Sequence, residues 1–287
     1  MTDAERQAKL AEALAQREKA LAALRKGYPH ALFNPNPAQY KFLASIRDNF
    51  TKGKRIFLAL WGNGAGKTEC WAHLTWAICG PPEQRRHWFD FEPLNNWPFP
   101  KRGRIICNSK QLRENTGRIW RAIHDTWPHG WYVEKKQGYE YVASYQIPAT
   151  GWIWDCMTEK QDIQDHESEE ISLLIVDEPC SQSVWSRYYS RMRKGGLMMM
   201  FATLLEESEW IESDLMNDPD VIWFHASSHE NCKQCAKMIT PDGYSLTGYL
   251  EHEHIEQGSK RYADYEKDTR LMGVPLHRHG RVFGVTD

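Results

Sequence analysis

The stretch FLALWGNGAGKTECW, Phe57 to Trp71, begins as a strand and ends as a helix, with Gly62, Gly64 and Gly66 packed between. Glycines in that position let the backbone turn so that its N–H groups converge on phosphate oxygens, and the positive end of the following helix points at the same place. Lys67 would then neutralise β- and γ-phosphates, and the Thr68 hydroxyl would complete a Mg²⁺ shell. The pattern G-x-x-x-x-G-K-[ST] is met only at its GAGKT end, because its first glycine falls on Trp61. The competing reading is a tight strand-helix turn with an incidental lysine. The flanking strand and helix favour a P-loop, with the backbone of Gly62, Asn63, Gly64, Ala65 and Gly66 around the phosphates.

A phosphate cradle of this kind needs a sheet behind it, and the remaining sequence supplies one. Short apolar runs at Ile56–Trp61, Arg104–Cys107, Ile171–Val176, Leu197–Thr203 and Val221–His225 alternate with helical patterns. The helices expected end near Ile78, span about Lys110 to Thr126, lie around Val184 to Arg193 and run near Glu207 to Met216. Continuous apolar strands separated by helices indicate an α/β fold with a mainly parallel central sheet covered on both faces. WYVEKKQGYEYVASYQI has the alternation of a hairpin, and GWIWDCM adds a strand.

Residues 1–28 read as an N-terminal helical extension, with Thr2 and Glu5 in capping-box spacing and Leu10, Leu14, Leu21 and Leu24 on one face. That face either binds a partner or packs on its own domain. Three prolines in YPHALFNPNPAQ mark the boundary to a core at 29–225, and 226–287 read as a smaller C-terminal lid or linker subdomain.

The second half of the expected site is a strand ending in carboxylates. ISLLIVDEP delivers Asp177 and Glu178 to the carboxyl end of a strand, where ligands sit in open α/β sheets. Asp177 would hold the metal's water shell, and Glu178 would polarise an attacking water. An adjacent Glu also separates hydrolytic motors from nucleotide kinases, which must exclude water. LMMMFATLL is another buried strand ending at Thr203, which either senses the γ-phosphate or caps the next helix.

Composition narrows the partners. A formal charge of −2 over 287 residues argues against a uniformly basic nucleic-acid binder. Patches such as KGKR, KRGR and RYYSRMRK still suit phosphates, or else are ordinary solvated surface. No apolar run approaches the roughly 20 residues of a membrane span. Cys70, Cys79, Cys107 and Cys156 stand singly, as in a reducing compartment, so a soluble cytoplasmic protein is expected. The 13 tryptophans are scattered as core packing would scatter them.

Taken in order, these motifs resemble the ATPase domain of the large terminase subunit, the motor that packages DNA into tailed bacteriophage heads, from about residue 33 onward. FNPNPAQYKFL resembles the family's adenine-binding segment, which would make Gln39 the base-reading residue. WGNGAGKT resembles its Walker A loop, LLIVDEP its Walker B strand with a catalytic Glu, and VWSRYYSRMRKGGLMMMFATLLEESEWI its coupling helix and strand. DTRLMGVPLHRHGRVF, Asp268 to Phe283, resembles the stretch that ends that domain.

The resemblance implies an ASCE-type P-loop NTPase using ATP and Mg²⁺ to translocate double-stranded DNA. Its partners would be a portal protein and a terminase small subunit. It would work as a homo-oligomeric ring on the procapsid in the cytoplasm of an infected bacterial host, with a monomer in solution. Many members carry a loop arginine where this chain has Asn63, so Arg191 and Arg193 become the candidates for a charge-stabilising arginine, against a reading as surface charge. The chain stops at Asp287, short of the family's nuclease, and no nuclease activity is expected from it. Two rivals are another nucleic-acid-dependent ATPase of helicase type and a nucleotide-gated assembly module with little turnover.

A last feature stands outside these motifs. Cys232-x-x-Cys235 has His225 and His229 upstream and His252 and His254 downstream. A tetrahedral zinc held by Cys232, Cys235, His252 and His254 is one reading; reduced thiols beside a solvated histidine-rich loop is the other.

Overall fold

The computed structural model describes residues 3–27, 29–84, 87–90, 96–138, 141–167, 169–205 and 209–275. Eight strands form one sheet: β1 (Ile56–Trp61), β2 (Arg102–Cys107), β3 (Val133–Gln137), β4 (Tyr141–Ile147), β5 (Trp152–Thr158), β6 (Leu173–Asp177), β7 (Leu197–Ala202) and β8 (Val221–Ala226). Their spatial order is β3-β4-β5-β2-β6-β7-β1-β8. From β5 to β8 all neighbours are parallel, and the β3-β4 hairpin adds antiparallel strands at one edge. The sheet is thus mixed and mostly parallel, as the alternation of apolar runs and helices implied.

Its central strands are apolar on both sides because both sides are covered. In β1, Phe57, Ala59 and Trp61 enter one core, while Ile56, Leu58 and Leu60 enter the other. The same division separates Leu197, Met199 and Phe201 of β7 from Met198, Met200 and Ala202. The first core is closed by α2 (Pro37–Phe50), α3 (Lys67–Cys79) and α4 (Arg118–Thr126), the second by α6 (Gln182–Arg191); a short α5 (Ile163–Glu167) lies between α4 and α6 in the chain. Trp61, Trp71, Trp76, Trp127, Trp152 and Trp154 are wholly or almost wholly buried, so these six indoles are packing material, whereas Trp223 is exposed.

Local sequence explains the entry of α2. Asn36 caps it, Pro37 occupies its first turn, and Gln39 returns a bond to the Asn36 amide in a reciprocal capping box. Beyond β8 follow the hairpin β9 (Lys237–Ile239) and β10 (Ser245–Thr247), then α7 (His252–Ser259) and α8 (Lys267–Met272).

Some boundaries differ from those read in the sequence. The helix expected from Lys110 to Thr126 is divided: a 3-10 turn covers Ser109–Leu112, Asn115 has φ 62°, and α4 begins only after Gly117. The helix near Glu207 to Met216 is a π turn at Ile211–Leu215, with residues 206–208 outside the described ones. The long α1 (Asp3–Gly27) carries Leu10, Leu14 and Leu24 exposed rather than packed on the domain. Thr2 of the expected capping box lies outside the described residues, as does the 276–283 part of the stretch Asp268 to Phe283.

Candidate active site

At the carboxyl end of β1 the chain makes its glycine-rich turn, and the turn is held from behind by its carbonyls. The Asn63 carbonyl accepts from Ser228 Oγ at 2.6 Å, Gly64 from Asn231 Nδ2 at 2.7 Å, Ala65 from Asn36 Nδ2 at 3.0 Å and Gly66 from Gln39 Nε2 at 2.9 Å. Four consecutive carbonyls pinned on one side turn the intervening amides to the other. Among the described residues, the amides of Gly64, Gly66, Lys67 and Thr68 have no hydrogen-bond partner. Gly66 is also the N-cap of α3 at φ 93° and has no side chain with which to satisfy the helix's first amides. Unpaired amides at a helix N-terminus form an anion site.

Lys67 projects beside them. Its ammonium is buried and donates to the Trp61 carbonyl at 2.8 Å, to the Gly62 carbonyl at 3.1 Å and to Thr203 Oγ1 at 2.6 Å. Burial lowers its pKa to about 8, against the pull of Glu178 and Asp177.

Thr203, just past β7, connects this cation to the carboxylates, since its backbone amide donates to Glu178 Oε2 at 3.0 Å. Glu178 sits at φ 75°, a left-handed conformation uncommon for a residue with a side chain, and its own amide is fixed by the Phe201 carbonyl at 2.9 Å. Asp177, the last residue of β6, is buried and accepts from Trp71 Nε1 at 3.2 Å and from Arg118 Nη2. Burial raises the Asp177 pKa, and the Arg118 charge opposes that rise.

These residues line a cleft of about 650 Å³ that includes Lys67, Thr68, Glu178, Thr203, Arg118 and Arg270. Asp177 lines the adjoining cavity, which it shares with Glu178.

Sequence reading points to Lys67, Thr68, Asp177, Glu178, Thr203 and the glycine turn, and the fold brings all of them together. Gln39 is fully buried, with its amide divided between the Asn36 amide and the Gly66 carbonyl, so here it supports the turn instead of facing the cleft. Asn63 presents its backbone to Ser228 and Arg270, and Ala65 is buried. Arg191 and Arg193, at and beyond the end of α6, do not line the cleft; Arg118 and Arg270 do, and neither stands out in the sequence. The signal for Arg118 is its place just after Gly117, at a helix start on the carboxyl side of the sheet.

The histidines also sort differently. His229, Cys235 and His252 bring ligand atoms within 4.8 Å of one another, whereas His254, expected as a ligand, is exposed on α7 and takes no part. Positions two apart on a helix face nearly opposite ways, so His252 and His254 cannot converge. His225 is engaged elsewhere, with Nδ1 at 2.8 Å from the Gly273 carbonyl.

No protein-family model and no curated protein matches the sequence. Among solved structures, the large terminase of a thermophilic bacteriophage is similar with a TM-score of 0.56 and 13% identity, over 85% of this chain and 54% of that one. The same terminase in complex with ADP gives a TM-score of 0.51 and 15% identity, over 83% and 53% of the two chains. The HK97 bacteriophage large terminase gives 0.52 and 13%, over 84% and 50%. The chain therefore has a terminase-like α/β fold and spans about half the length of the solved terminases it matches. Among the described residues, no helix is long and apolar enough to cross a membrane.

Proposed function

We propose that this chain is the ATP-hydrolysing motor domain of a viral DNA-packaging terminase, a P-loop NTPase of the ASCE type acting on double-stranded DNA at a procapsid. One observation carries the reading: Lys67 and Glu178 are tied to the same residue, Thr203, across the carboxyl ends of β1, β7 and β6, beside a turn whose free amides face the cleft. The terminase-like fold supports it, as does the solution of the thermophilic phage's terminase with ADP.

In this reading the Gly64, Gly66, Lys67 and Thr68 amides and the Lys67 ammonium bind the β- and γ-phosphates, and Glu178 orients the attacking water and takes its proton. Thr203, touching both, passes loss of the γ-phosphate to β7. Thr68 and Asp177 offer the hard oxygens that Mg²⁺ takes, so the donor set fits the ion. When bound, Mg²⁺ neutralises charge on the phosphate oxygens. For Asp177 to help hold the ion, Arg118 would have to release the carboxylate it now pairs with. Arg118 and Arg270 are then the chain's own cations for charge developing on the γ-phosphate. Arg191 and Arg193, outside the cleft, are candidates only for a neighbouring subunit's site in a ring. The portal protein, the small subunit and the host cytoplasm follow from the same reading.

The deciding experiment is phosphate release from Mg²⁺-ATP by this chain, alone, with duplex DNA and on proheads. Turnover raised by duplex DNA or proheads is expected. ATP binding without Mg²⁺-dependent turnover in any arm would replace the motor with a nucleotide-gated assembly module. Stimulation by single strands with strand separation would indicate a helicase.

A further inference from the structure

The segment that grips the glycine turn from behind contains a cluster with no part in the chemistry above. Ser228 and Asn231 hold the turn's carbonyls, and His229 and Cys232 alternate with them in the same short stretch. Cys235 follows on the loop leading to β9, and His252 returns at the start of α7. Cys235 Sγ lies 3.2 Å from His252 Nδ1, and Cys232 Sγ lies 3.8 Å from the same nitrogen. The His229 and His252 ring centroids are 5.4 Å apart.

We propose that Cys232, Cys235, His252 and His229 form a structural zinc site that staples the 227–259 segment and, through Ser228 and Asn231, fixes the glycine turn. Two sulfurs and two imidazoles are the donor set that tetrahedral Zn²⁺ prefers, and a closed set of four protein ligands is structural rather than catalytic. The local backbone already has the shape that such sites use. The Cys235 amide points at Cys232 Sγ at 3.4 Å, the Ala236 amide bonds the Cys232 carbonyl at 2.9 Å, and Gln234 Oε1 accepts from the His252 amide at 3.0 Å. Glu256 Oε1, 3.8 Å from His229 Nε2, adds a carboxylate of the kind that orients metal-bound imidazoles.

A second observation points the same way. Between Ser227 and Ser259 the buried apolar side chains are Cys232, Ala236, Leu246 and Ile255. So small a core does not order a segment of this length unaided, and metals commonly supply the deficit. Each thiol gives up its proton on binding, so affinity falls in acid.

The test does not depend on ATP hydrolysis. Protein purified under reducing conditions without chelator, then equilibrated with zinc and desalted, should hold about one equivalent by elemental analysis. Replacement by Co²⁺ should give the absorption of a tetrahedral ion with thiolate ligands. Cys235→Ser and His229→Ala should each lose most of the metal, and His254→Ala should keep it. Substoichiometric zinc in the wild-type chain after this treatment would overturn the proposal. So would a variant pattern in which His254→Ala loses the metal and His229→Ala retains it. The wild-type measurement stands even if a variant fails to fold.

Discussion

Arg118, the first residue of α4, donates from Nη2 to Oδ2 of Asp177 at the end of β6, and the same nitrogen stands 3.6 Å from Glu178 Oε1. One cation therefore answers two adjacent carboxylates, one of them fully desolvated. Leaving a buried carboxylate without its partner costs about 1–3 kcal/mol, and the lower end applies where the partner is solvent-screened. The Arg118 side chain is 41% exposed. Arg118→Ala should lower unfolding free energy by about 1 kcal/mol without nucleotide, and Mg²⁺-ADP should recover the loss by supplying another positive charge at Asp177. Urea unfolding with and without Mg²⁺-ADP reads both effects. An unchanged midpoint without ligand would show the pair to be idle.

Phosphate contact and water activation are assigned to different residues, so their variants should fail differently. Lys67→Ala should bind ATP weakly and turn it over negligibly. Glu178→Gln should bind ATP at near wild-type affinity while turnover drops about 10²- to 10⁴-fold, the range for losing a positioned general base. Nucleotide titration and phosphate release on the two proteins separate the roles, and brisk turnover by Glu178→Gln would remove it from catalysis.

Burial brings the Lys67 pKa to about 8 from the ordinary 10.5. Between those values the unfolded chain carries a proton that the folded chain has shed, so this residue's contribution to stability rises with pH across that window. Nucleotide binding at Lys67 should have the opposite dependence, because phosphate favours the charged ammonium. ADP affinity should fall as pH climbs above about 8, with proton uptake on binding growing toward one near pH 9. Calorimetry in buffers of different ionisation enthalpy measures that uptake. Uptake that stays at zero would mean Lys67 remains protonated throughout.

Two glycines of the turn should be irreplaceable for different reasons. At Gly66 (φ 93°), a Cβ would meet Gln39 Nε2 at 2.6 Å; at Gly62 it would collide with the Leu271 carbonyl oxygen. Gly66→Ala combines left-handed strain with a displaced Gln39 and should cost about 1–3 kcal/mol. Gly62→Ala must push back the backbone at Arg270–Leu271, a small-to-large insertion also worth about 1–3 kcal/mol. Thermal unfolding checks both, and protection of residues 267–273 from hydrogen exchange should fall only in Gly62→Ala.

What is legible in the sequence is whatever a single segment encodes. The Phe57 to Trp71 transition and the runs ending at Asp177 and Thr203 carry their own periodicity, and parallel stacking brings their ends together. Arg118 is hidden because its helix reads as continuous from Lys110, while a φ of 62° at Asn115 and the cap at Gly117 re-aim the chain. His229 yields to His254 as an expected ligand because EHEH reads as loop. Once α7 is a helix, spacing alone separates His252 from His254. Gln39 reads as facing a base, and its reciprocal bonds with Asn36 become visible only with the helix cap formed.

The four carbonyl bonds behind the turn also order events in time. Asn36 and Gln39 lie 29 and 27 residues from their targets, but Ser228 and Asn231 lie 165 and 167 residues away. On a nascent chain the first pair can close soon after β1 and α3 emerge, while the second must wait until the sheet has received β7 and β8. Contacts of such separation form late because the intervening chain has to be ordered first. The turn therefore exists for a time with only its α2 side latched, and its fully braced form arrives with the docking of residues 228–273, as one of the last steps of folding.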